Sequence, residues 1–166
     1  MMSREWSHLT EDVRAKILEH QASAPVKLSA LARALGVGLK AATLSAGISG
    51  EIRPDPDNAG KFLIRVNRHD AGNRQRFTVA HEIGHFLLHS DQIGDGIKDD
   101  VLYRSNLSDR REAEANRMAA DLLMPEHLID EWLERARLLR VEDVVRYLAA
   151  QFEVSEASMK IRLGLA

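Results

Sequence analysis

The chain has 166 residues, 45% of them hydrophobic and 29% charged, which allows one domain with a sizeable core and not two ordinary ones. A net charge of −2 gives no general pull toward nucleic acid or an anionic membrane. The absence of cysteine excludes disulfides and leaves His, Asp and Glu as the only builders of a metal site.

In chain order, MMSREWSHLTEDVR has no apolar segment of the kind a signal peptide needs. No later run approaches the roughly 20 residues of a membrane span, so a cytoplasmic protein is expected, with no membrane partner. Thr10 caps a first helix through VRAKILEHQ, with acidic residues in its first turn. Beyond Pro25, VKLSALARALGVGL offers a second short helix, starting at Ser29 and ending at Gly36. GISGEIR and KFLIRVN alternate as strands do and are joined by the turn-rich PDPDNAG, which predicts a hairpin. RHDAGNRQR reads as a polar loop leading into a helix over residues 78–89. SDQIGDGIKDD reads as a mobile Gly/Asp loop, and DVLYRSN as a short extended piece. Ser108 or Asp109 caps a helix through RREAEANRMAADLLM, which Pro125 stops. EHLIDEWLERARLL and VEDVVRYLAAQFEV are two more amphipathic helices, followed by SEASMKIRLGL. The whole predicts a single α+β domain over residues 1–166, mostly helical, with a small hairpin beside the 78–89 helix.

That helix, within RFTVAHEIGHFLLH, carries the chemistry. Taking His81 as zero on a helical wheel, His85 falls at about 40°, Thr78 at about 60°, His89 at about 80° and Glu82 at about 100°. Apolar residues fill the remaining arc, so the helix is buried nearly all round, with its polar side chains in one stripe. Buried polar groups without partners cost several kcal/mol each (roughly 2–7), so something must satisfy them. His81 and His85, one turn apart, bring two imidazoles to one point, as tetrahedral zinc requires. Glu82 projects beside them, placed to accept a proton from an activated water rather than to ligate. This is HExxH, the arrangement of a zinc hydrolase. His89 lies about 12 Å along the axis from His81, too far for the same ion, and suits a supporting role.

Catalytic zinc takes three protein ligands. The H-E-x-x-H-x-x-G-x-x-H pattern is excluded, because Leu88 stands where it needs Gly and Asp91 where it needs His. A Glu from a later helix is the other source, and EAEANRMAADLLMP offers Glu112 and Glu114 at opposite edges of the face formed by Ala115, Met118, Ala119, Leu122 and Leu123. The wheel alone does not choose between them.

RFTVAHEIGHFLLH, followed by YRS and EAEANRMAADLLMP, resembles the ImmA/IrrE family of zinc metallopeptidases, strongly over residues 76–125 and more loosely on either side. Met118 stands where that family often has Phe. The resemblance implies a zincin-like fold, a Zn2+ cofactor held by His81, His85 and Glu114, and Glu82 as the catalytic base. It also implies regulatory proteolysis inside bacteria, acting on a helix-turn-helix repressor or an antitoxin-like partner, in stress-response or toxin–antitoxin circuits.

Zincins commonly take a peptide as an added strand on a sheet edge, and FLIRVN is the candidate edge. Tyr103 and Arg104 are candidates to stabilise an oxyanion. Two readings compete with the peptidase. LSALARALGVGLKAATL and FEVSEASMKIRL have the outline of helix-turn-helix elements, but only Arg33 and Lys40 offer cations near the first, so no direct nucleic-acid contact is expected. A metal-holding docking or sensor module without proteolysis is the second, and an intact Glu82 argues against it.

Overall fold

A computed structural model describes the chain from Met1 to Ala166. It is α+β, with eight helices and one four-stranded sheet. Helix α1 (Arg4–Ser7) and α2 (Glu11–Glu19) come first, and Thr10 caps α2 by accepting from the Val13 amide at 3.3 Å. Helix α3 (Leu28–Ala34) follows, opening one residue before Ser29, and its Leu28, Leu31 and Ala32 are buried.

The sheet contains β1 (Gly38–Ala42), β2 (Ile48–Pro54), β3 (Phe62–Asn67) and β4 (Ile97–Asp100), in the order β1-β3-β2-β4. The expected hairpin is β2–β3, antiparallel with Ile52 opposite Ile64. Strand β1 pairs parallel with β3, Leu39 beside Ile64. This overturns the helix-turn-helix outline read into LSALARALGVGLKAATL: its second apolar run is a strand, because Gly38 to Ala42 find backbone partners on β3. It also overturns FLIRVN as an edge. β3 has neighbours on both sides and no free backbone face to offer a peptide.

Helix α4 (Gly72–His89) lies across β2 and β3. It begins six residues earlier than the apolar pattern suggests. Its first turns are solvent-exposed and so carry no apolar periodicity, while the Gln75 side chain ties their start by donating to the carbonyls of Arg68 and Asp70. Gly50 of β2 faces it directly; a methyl there would collide with Thr78 Cγ2 and lie 3.6 Å from Glu82 Cγ.

Helix α5 (Asp109–Leu123) packs on the other side of α4, capped by Ser108, whose hydroxyl accepts from the Arg111 amide. Here too a missing side chain sets the distance, since a Cβ on Gly84 would sit 3.0 Å from the Ala115 carbonyl. Helices α6 (Glu126–Leu138), α7 (Val144–Phe152) and α8 (Glu156–Arg162) complete the chain, with Pro125 ending the turn after α5. Phe152 and Met159 bring the last two into the core. No helix is long and apolar enough to cross a membrane.

The N-terminus anchors α5. Arg117 grips buried Glu5 through two bonds of 2.6 and 2.9 Å, and Asp121 accepts from Ser3 and meets Arg162. The Arg117 guanidinium outweighs burial and, with Arg4, holds the Glu5 carboxyl at about 2, below its ordinary 4.5. A lowered carboxyl adds stability that is complete above about pH 4.5 and is lost as pH falls toward 2. Glu5→Gln should therefore cost about 2 kcal/mol at neutral pH, the scale of a charged hydrogen bond, and flatten that acid limb in denaturation curves. Gly50→Ala should cost ~1–3 kcal/mol through overpacking against α4. Adding Thr78→Ser removes the colliding methyl and should restore part of the loss in the same denaturant titration.

Candidate metal centre

Four side chains converge where α4, α5 and β4 meet: His81, His85, Asp99 and Glu112, all buried, with one ligand atom each inside a 4.8 Å span. Glu112 reaches both imidazoles, with Oε1 at 3.2 Å from His81 Nε2 and Oε2 at 3.2 Å from His85 Nε2. Asp99 reaches both from the sheet side, at 3.4 and 3.6 Å. Glu82 is fully buried next to them, and neither of its carboxylate oxygens has a hydrogen-bond partner.

The rings are aimed from behind. His81 Nδ1 donates to Asn116 Oδ1 at 2.8 Å, which leaves the Nε2 lone pair facing the cluster. His85 Nδ1 meets His89 Nδ1 at 2.9 Å, and His89 Nε2 faces Glu114 Oε1 at 3.8 Å. An anionic neighbour favours the proton on His89 Nε2, so His89 Nδ1 accepts, His85 Nδ1 donates, and the His85 Nε2 lone pair also points inward. Burial, then the neighbouring His85, lowers the His89 pKa to about 4, which keeps this link neutral. Ser105 donates to the outer Glu112 oxygen at 3.0 Å.

The electrostatics ask for a cation. Burial, reinforced by Asp99, pushes the Glu82 carboxyl well above the usual range. Burial opposes charge on His81, yet Asp99 and Glu112 together hold it up at about 9. Three carboxylates share this pocket, and both Asp99 oxygens and His85 Nε2 are buried without a hydrogen-bond partner. Oxygen and imidazole donors converging in a dry site suit a divalent metal of the zinc type.

The predicted site residues are thus partly brought together. His81, Glu82 and His85 meet; Glu114 does not join them. It sits beside His89 and within 3.4 Å of Arg111, while Glu112 is the α5 carboxylate that reaches the rings. The register of α5 explains this. Glu112 lies three and seven residues before Ala115 and Ala119, the small residues on the face toward α4, and Glu114 is turned off that stripe. That spacing was the available signal. Asp99 went unsuspected because IKDD, rich in residues poorly suited to strands, sits in a segment that reads as loop. Of the oxyanion candidates, Tyr103 is close, its ring 5.2 Å from that of His81 and its hydroxyl accepting from Thr78. Arg104 is mostly exposed and pairs with Asp100. Tyr103 lies in a turn at φ 56°, where an extended segment was expected.

The fold and cluster define an α+β protein with a buried HExxH centre of metal-ligating type. The chain belongs to the peptidase family described as IrrE N-terminal-like domain, whose model matches residues 47–164. It is 43% identical over 82 residues to the radiation response metalloprotease IrrE of Deinococcus radiodurans, across 44% of this chain and 22% of that protein. With the protein of the same name from Deinococcus deserti it shares 35% over 134 residues, across 69% and 44%. The chain thus spans less than half the length of these relatives. Among solved structures, a Mycobacterium tuberculosis transcriptional regulator is similar in fold, with a TM-score of 0.56 at 20% identity, over 94% of this chain and 48% of that one.

The α5 register makes a sharp comparison. Glu112→Ala should weaken Zn2+ binding, measured by chelator competition, by more than the roughly 10- to 100-fold that an outer partner costs; Glu114→Ala should stay within that range. The reverse order would return Glu114 to the ligand set.

Proposed function

We propose that this chain is a zinc-dependent endopeptidase of regulatory type, cutting a protein substrate in the cytoplasm. One observation carries the reading: two imidazoles one turn apart, joined at 3.2 Å each by a carboxylate from a second helix, with a buried acid beside them. His81, His85 and Glu112 form a His2Glu ligand set, and Glu82 is the base. Zinc, when bound, supplies Lewis acidity that brings a water's pKa toward ~7 and polarises a peptide carbonyl.

The rest is the work of the chain's own groups. Glu82 takes the proton from the attacking water and delivers it to the departing amine, and its raised affinity for protons in a dry site suits both transfers. Asn116 and His89 hold the two imidazoles in the tautomers that present Nε2. Tyr103, beside His81 and Thr78, is the nearer candidate to donate to the developing oxyanion. The relatives carry the name radiation response metalloprotease, which supports a stress-linked role. A helix-turn-helix repressor or antitoxin-like partner as substrate follows from the family resemblance.

A second reading, a metal-holding docking module without hydrolysis, draws on Asp99, which completes four protein donors around the site. Incubation with a candidate helix-turn-helix repressor separates the two. Wild type should fragment it, and Glu82→Gln should bind the metal equally and lose at least ~100-fold in rate. Equal fragmentation by both would remove Glu82 from the mechanism, and none by either would favour the docking module.

A further inference from the structure

Strand β4 forms the sheet edge that an incoming peptide would join. It is the last strand of the sheet on the active-site side, antiparallel to β2, with Asp99 opposite Gly50. An extended substrate that joined this sheet edge would pair with the free side of β4 and pass close to Asp99. Along β4 the burial alternates, Ile97 inward, Lys98 outward, Asp99 inward. An aspartate at an inward strand position is unusual. This one is wholly buried, has no hydrogen-bond partner for either oxygen, and points at His81 and His85.

We propose that Asp99 is a resident plug: from β4 its carboxylate fills the fourth position around the metal, so that the site opens only when that carboxylate withdraws. The proposal rests on the peptidase reading for its purpose, but its geometry stands apart from it. Catalytic metal sites keep one position open, whereas four protein donors make a closed site. The seat is shallow on one side. Ile97 is buried in the core, and beyond Asp99 the side chains of Val101 and Leu102 are 43% and 64% exposed while the Val101 amide donates to the Gly47 carbonyl. Pairing to β2 is interrupted by a register shift between Ile48 and Gly50, next to Asp99. Asp99 therefore sits at an irregularity in the ladder, where its side chain can withdraw while Ile97 and Val101 stay in place.

The test uses the full chain loaded with Co2+ and acetohydroxamate, a small bidentate metal ligand, as the probe, followed by visible absorption. Wild type should resist the probe. Asp99→Ala and Asp99→Asn should bind it at a concentration at least tenfold lower, and hydrogen exchange over residues 97–104 should accelerate in both. Lys98→Ala, on the outward face of the same strand, should behave as wild type. Asp99→Asn, nearly isosteric, keeps the test valid if the alanine variant does not fold. Equal probe binding by wild type and both Asp99 variants would overturn the plug. Neither readout depends on turnover: if the Asp99 variants open but cleave nothing, the peptidase reading fails and the plug stands. If wild type binds the probe freely and cleaves, the plug fails and the peptidase stands.

Discussion

The distance between α4 and α5 is the constraint on which the site depends. An HExxH helix brings two imidazoles together by its own geometry, one turn apart, but the carboxylate that completes the set must come from elsewhere in the chain. Gly84 on α4 lies against the Ala115 backbone, so close that a single methyl would reach the Ala115 carbonyl at 3.0 Å. Helices in contact ordinarily sit about 8–10 Å apart, depending on the side chains between them. Small residues at this crossing give the short Glu112 side chain both rings within 3.2 Å. Gly50 plays the same part on the sheet side, where it lets β2 press on Thr78 and Glu82.

That closeness concentrates charge. Glu82, Asp99, Glu112, His81 and His85 are all buried in one pocket, and burying an ionised group without compensation is costly. The surrounding core of Val79, Ala80, Ile83, Met118 and Leu122 supplies no polar partner. A divalent ion bound there would neutralise carboxylates and occupy the inward lone pairs at once. Metal binding there would for that reason be coupled to stability. Elsewhere the chain follows the ordinary rule: Glu5 and Asp121 are buried, but each is met by an arginine, and they fasten the N-terminus and α8 to α5. Those two carboxylates are paired, whereas the ones at the centre are left facing one another.

Much of this was legible in the sequence because it is local. Periodicity and caps located the helices, Thr10 and Ser108 among the caps, and the alternation in GISGEIR and KFLIRVN gave the hairpin. HExxH spacing is helical geometry written directly in residue numbers. What failed was tertiary. Strand β1 looks like the second limb of a helical pair because Leu39, Ala41 and Ala42 have no strong preference of their own; its pairing with β3 decides. Strand β4 is hidden for a related reason: two aspartates and a lysine in four residues argue against a strand, and pairing with β2 overrides propensity. The polar start of α4 left no apolar trace at all.

The E-x-E-A-N run places two candidate carboxylates within two residues of each other. Glu112, Glu114 and Asn116 all serve the same pair of imidazoles, but at different depths. Glu112 faces the two Nε2 atoms. Asn116, one turn further along, accepts from the far side of His81. Glu114 lies on the other flank, where it meets His89, which in turn backs His85. One helix therefore supplies the carboxylate in front of the rings and the acceptors behind them. Because the two glutamates contact opposite ends of one histidine relay, both belong in the motif, and the approach of α5 to Gly84 determines which of them faces the two Nε2 atoms.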